Sequence, residues 1–144
     1  RLAPTTRSWF GVRYPFDFVP RRAEPKAGAR RFEMGTPAVG AAFTAAGGLE
    51  VIREAGIPRI RRRNRFLAAD LSDRLRSAGF DLRIAPDPEE RSALVLARHP
   101  APEEAVAALA EEGVIVDARP GCVRFSPHFY NTVEDNRTAV AALP

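Results

Sequence analysis

The chain has 144 residues, 45% of them hydrophobic, enough for one compact domain with its own core plus appendages, and this composition excludes overall disorder. Lys and Arg total 22 against 18 Asp and Glu, a net charge of +4, and because Lys26 is the only lysine the basicity is almost wholly guanidinium. A single cysteine, Cys122, excludes an internal disulfide framework and fits a reducing, cytoplasmic location, while the longest uncharged run, Met34 to Leu49, is too short and too rich in Gly and Ala to span a bilayer.

Residues 1–35 carry Pro4, Pro15, Pro20 and Pro25, the aromatics Trp9, Phe10, Tyr14, Phe16 and Phe18, and the basic pairs Arg21-Arg22 and Arg30-Arg31, with no helical period. A long irregular stretch of this kind reads as an arm that packs on another surface. It opens at Arg1 rather than Met, so the chain is expected to be a piece of a longer protein. Helix signals follow: Thr36 as N-cap, Pro37 at the first helical position, and a small-residue helix to Glu54 closed by Gly56. A second helix is predicted from Pro58 to Ala78, with Ile60, Phe66, Leu67, Leu71, Leu75 and Ala78 at three- and four-residue steps and Gly79 as its stop.

Phe80, Leu82 and Ile84 alternate with polar residues as in a half-buried strand. Ala93 to Ala97 is a continuous apolar run, predicting a strand buried on both faces. Pro102 opens a helix that Gly113 closes, Val114 to Val116 predicts a third strand, Val123 to Phe125 a fourth, and Thr132 to Leu143 the last helix. Two helices followed by β-β-α-β-β-α describe an α/β (α+β) sandwich: a mixed four-stranded sheet with helices packed on one face.

Arg124 is the residue that most needs a function. A guanidinium mid-strand among apolar neighbours requires a partner, and its planar fork fits a carboxylate bidentately. That partner is either a substrate carboxylate or a neighbouring Asp or Glu. Pro127 ends the strand, and Thr132 with Asp135 three residues on makes a box-like start to the next helix.

The stretch Val123-Arg124-Phe125-Ser126-Pro127-His128-Phe129-Tyr130-Asn131-Thr132-Val133-Glu134-Asp135 resembles the C-terminal signature of class V aminotransferases, the pyridoxal-phosphate (PLP) superfamily that includes kynureninases and cysteine desulfurases. Ser8-Trp9-Phe10-Gly11 through Pro15-Phe16-Asp17-Phe18, leading to Gly28 through Pro37, resembles the end of the same family's large domain. The resemblance implies that residues 1–35 are the tail of a missing large PLP-binding domain. It implies that 36–144 form the small C-terminal domain of a fold-type I enzyme, with 36–56 as the interdomain helix. It also implies that Arg124 grips the α-carboxylate of a small amino-acid substrate, that Arg119 lies on a loop near the active site, and that Thr36 contacts the cofactor phosphate of a neighbouring subunit in a homodimer. Trp9 matches a tryptophan whose indole N–H reaches that phosphate in kynureninase-like relatives. For Thr36 a plain helix cap, for Trp9 a packing anchor and for Arg119 a solvated loop position are the alternatives.

The family's chemistry requires a Schiff-base lysine. Lys26, between Pro25 and Gly28, is not placed to be it, so the chain alone is expected to be inactive. Among the superfamily's reactions, desulfuration is disfavoured because the loop that would carry a nucleophilic cysteine is cut to Arg119-Pro120-Gly121. Trp9-Phe10-Gly11 and Leu96-Ala97-Arg98-His99-Pro100 suggest a kynureninase-type C–C hydrolase, while Arg91-Ser92-Ala93 and the Tyr-Asn-Thr helix start favour the general aminotransferase class. The rival of another class is a nucleic-acid-binding module, from Arg59, Arg61, Arg62, Arg63 and Arg65; pairs such as Asp70 with Arg74 mark that helix instead as a solvated face. His99, His128 and Cys122 match no zinc spacing.

Overall fold

Leu67, Leu71 and Leu75 recur at four-residue steps and are almost wholly shielded from solvent, forming the spine of helix α2, Ile57–Ser77. The computed structural model describes residues 2–19, 21 and 23–144; Arg1, Pro20 and Arg22, read above as part of the arm, lie outside the described residues. Two compact units are distinguished, Arg1–Leu49 and Glu50–Pro144, and helix α1, Val39–Ala55, runs through the boundary.

In the second unit α2 is followed by strand β1 (Val95–Arg98), helix α3 (Pro102–Glu111), strands β2 (Asp117–Arg119) and β3 (Cys122–Phe125), and helix α4 (Val133–Ala141). The sheet order is β1-β3-β2 with both pairings antiparallel. Val95, Ala97, Val123 and Phe125 point into one core with Leu71 and Leu75 of α2, Leu109 of α3 and Ala139 of α4. Strand alternation sends Leu96, Arg98, Cys122 and Arg124 to the opposite face. The result is the expected two-layer arrangement, with helices on one side of the sheet.

Several details depart from the sequence expectation. The sheet is antiparallel and three-stranded, not mixed and four-stranded: the Phe80–Ile84 segment contributes only a single bridge, Leu82 to Ala97. β2 begins at Asp117, beyond the predicted Val114–Val116. The tight Arg119-Pro120-Gly121-Cys122 turn sets the register, placing Arg119 opposite Cys122, and Ile115 is left 86% exposed. Gly121 has φ 69°, as a Pro-Gly turn with its glycine in the left-handed region demands. β1 is buried on one face only: Val95 and Ala97 are buried, whereas Leu96 is half-buried and Arg98 exposed. Phe66, expected on the core stripe, is 54% exposed under the guanidinium of Arg63.

The helix ends follow their chemistry. At the end of α2, Phe80 N–H bonds the Leu75 carbonyl (3.0 Å) across Gly79, whose φ of 91° suits glycine alone among common residues. α4 opens with a capping box: Thr132 Oγ1 accepts from the Asp135 amide and Asp135 Oδ2 accepts from the Thr132 amide. α1 starts at Val39, where the Ala38 carbonyl takes the Ala42 amide (3.0 Å), so Thr36 and Pro37 precede the helix rather than cap it.

The first unit has more order than an arm without structure. Val12 bridges Pro25, and Gly28–Phe32 forms a 3₁₀ helix. Trp9, Phe10 and Phe16 pack edge to face or tilted, with centroids 5.6 to 6.1 Å apart. Gly11 permits a close approach: a Cβ there would lie 2.7 Å from the Arg31 carbonyl. None of the described helices is long and apolar enough to cross a membrane.

Candidate functional site

The open face of the sheet carries the candidate site. Register aligns Leu96 of β1, Arg124 of β3 and Asp117 of β2 in one row across the strands, and Cys122 and Arg119 in the next. The Arg83 amide bonds the Leu96 carbonyl (2.8 Å), which extends the first row by one more residue. Arg83, Leu96, Arg119, Pro120, Cys122 and Arg124 line a shallow cleft of about 260 Å³.

Arg124 Nη2 donates to Asp117 Oδ2 at 2.8 Å, and Arg119 Nη2 lies 2.6 Å from the same oxygen. One carboxylate oxygen thus serves two guanidinium groups. Arg124 Nε is buried and has no hydrogen-bond partner. A buried N–H left unmade costs stability, so the guanidinium is only partly satisfied by protein. Of the two partners expected for Arg124, the structure contains the neighbouring acidic side chain, Asp117. Arg83, Arg119 and Arg124 against Asp117 leave the cleft with an excess of positive charge, suited to an anionic group.

The remaining predicted residues lie elsewhere. Thr36 is exposed and belongs to the first unit. Trp9, also in that unit, donates its indole N–H to the Pro15 carbonyl at 2.7 Å within the aromatic cluster. Lys26 Nζ pairs with Glu33 at 3.2 Å and sits 5.9 Å from the Phe10 ring centroid. In the arginine run of α2, Arg65 forks onto Glu89 with both Nη atoms, Arg61 donates to the Glu89 carbonyl, and Arg63 donates to the Asn131 carbonyl. Glu89 in turn is held below the usual carboxylate range by the Arg65 hydrogen bonds. No group of three metal-ligating side chains occurs among the described residues.

Sequence reasoning missed Asp117 and Arg83 as neighbours of Arg124. The Pro120-Gly121 pair was the available signal for Asp117, because a two-residue hairpin loop between Arg119 and Cys122 places Asp117 opposite Arg124.

Comparison with solved structures places the fold first. The chain superposes on an apo cysteine desulfurase of Thermococcus onnurineus NA1 with a TM-score of 0.78 at 22% identity, covering 96% of this chain and 38% of that one. It superposes on the cysteine desulfurase CsdA of Escherichia coli with a TM-score of 0.70 at 23% identity, covering 86% and 34%. The architecture is that of the C-terminal region of fold-type I PLP enzymes. Residues 59–143 match the family described as the kynureninase C-terminal domain. The chain belongs to that family, and with it to the class V PLP enzymes, as the Arg124 to Asp135 signature implied. Among curated proteins it is 31% identical over 139 residues to an uncharacterized aminotransferase, YcbU, of Bacillus subtilis (strain 168), covering 96% of this chain and 36% of the relative. It is 32% identical over 149 residues to the kynureninase of Bacillus anthracis, covering 97% and 34%. The chain thus spans about a third of the length of the curated relatives it matches.

Proposed function

We propose that this chain is the C-terminal part of a PLP-dependent class V enzyme that transfers the amino group of a small amino acid, and that Arg124 binds the substrate's α-carboxylate. The observation that carries the reading is the guanidinium of Arg124, bonded to protein only through Nη2 and partly exposed in a cleft of net positive charge. A carboxylate is the ligand such a fork recognises.

The residues present do not fit the cofactor's covalent attachment. The only lysine, Lys26, is engaged by Glu33, so the Schiff-base lysine belongs to a preceding large domain and the chain alone is inactive. Thr36, exposed, is the residue we assign to a neighbouring subunit's cofactor phosphate, which makes the complete enzyme a homodimer; light scattering of that enzyme checks this. Trp9 would have to give up its bond to Pro15 to reach a phosphate, which favours its role as a packing anchor. Arg119, tied to Asp117 beside Arg124, is assigned to the substrate side of the cleft. We place the enzyme in the cytoplasm, consistent with its free, buried Cys122.

The test is Arg124→Ala in the complete enzyme. Losing two charge-assisted hydrogen bonds should raise KM for the amino acid ~100-fold while leaving the cofactor absorbance intact. An unchanged KM refutes the assignment. The kynureninase-domain match supports a second reading, C–C hydrolysis of the kynureninase type. Supplying kynurenine and following its loss, against amino-group transfer to a 2-oxo acid, separates the two.

A further inference from the structure

We infer that Asp117 is a positioning residue for substrate binding: it holds one corner of the Arg124 guanidinium, and Arg119 beside it, so that the part of Arg124 left exposed in the cleft is set for a ligand carboxylate. The inference rests on the reading of Arg124 given above. Asp117 Oδ2 lies 2.8 Å from Arg124 Nη2 and 2.6 Å from Arg119 Nη2, and β2–β3 register puts Asp117 directly opposite Arg124. The two arginines stand in neighbouring rows of the same sheet face, so without an anion between them their guanidinium groups would repel and swing apart.

Asp117 is 43% exposed and Arg124 36%, so the ion pair contributes little to stability. Its consequence is orientation. An Arg side chain has several rotatable bonds, and a fixed Nη2 removes most of the alternatives. Asp117 does not fill the site, because it takes only Nη2 of a guanidinium that stays partly exposed, and the cleft keeps its positive excess from Arg83 and Arg119. A substrate carboxylate therefore meets a fork already aimed, rather than one that must be ordered on binding.

The experiment compares Asp117→Ala, Asp117→Asn and Arg124→Ala, singly and in the double Asp117→Ala/Arg124→Ala variant, in the complete PLP-loaded enzyme. Two quantities are read: KM for the amino acid, and the inhibition constant of propionate, a carboxylate that cannot react. Asp117→Ala should raise both by about tenfold with kcat nearly unchanged. Asp117→Asn, which keeps an acceptor oxygen in place, should recover most of that loss. In the Arg124→Ala background, removing Asp117 should change neither quantity further. Unchanged or lower constants in Asp117→Ala, or an additive effect in the double variant, overturn the inference, the lower value marking Asp117 as a competitor for Arg124. If Arg124→Ala itself leaves KM unchanged, the assignment of Arg124 has failed and not merely the role of its partner.

Discussion

Asn136 is 4% exposed and links α4 to α2 through one amide group: Nδ2 donates to the Leu67 carbonyl at 3.0 Å and to Asp70 Oδ2 at 2.9 Å. Replacing it with Ala removes a neutral bond of about 1 kcal/mol and a charge-assisted one of about 2 kcal/mol. No acceptor is stranded, because Asp70 keeps Arg74 Nε at 2.9 Å and the Leu67 carbonyl keeps its place in the α2 ladder. The expected loss is therefore about 3 kcal/mol, or a fall in Tm of ~12 °C for a chain of this size. The pH dependence gives a second readout. The Arg74 hydrogen bond holds the Asp70 carboxyl below the usual carboxylate range, with the Asn136 amide adding to it against the opposing effect of burial. A carboxyl depressed in the folded state contributes stability above its unfolded pKa, and that contribution is lost as pH falls through the depressed folded value. Asn136→Ala should narrow this acid-induced loss without abolishing it, since Arg74 remains, whereas Arg74→Ala should reduce it more. Thermal unfolding followed by circular dichroism from neutral pH into the acid range checks both effects. A Tm within 2 °C of the parent, roughly 0.5 kcal/mol, together with an unchanged acid limb, would refute the account of Asn136 as the bridge between these helices.

Two further substitutions probe local structure in the same unit. Thr132→Ala removes the hydroxyl half of the α4 capping box and should cost about 1 kcal/mol, read from the urea midpoint, with Thr132→Ser close to neutral. Gly121→Ala should cost about 1 kcal/mol through the left-handed φ of 69° alone, because no atom lies within 4 Å of the added Cβ; Gly121→Asn, which tolerates that conformation, should cost less. Equal losses for Ala and Asn would move the cause from backbone conformation to a contact.

What the sequence determined by itself was local. The period of Leu67, Leu71 and Leu75, the stops at Gly79 and Gly113, and the Thr132–Asp135 box are each written within a few residues, and the structure places helix cores and ends where those signals stand. The signature around Arg124 was equally legible, because the residues that carry it are contiguous, and the family match extends from it across 59–143. Strand pairing was not legible in the same way. Whether Val114–Val116 or Asp117–Arg119 enters the sheet depends on which segment can close a tight turn onto β3, and an apolar run does not reveal whether one or both of its faces are covered. Those non-local pairings decided the site. They put Asp117 across from Arg124 and Arg83 two strands away, because which side chains share a row is set by the pairing of strands distant in the chain and not by any contiguous run of residues.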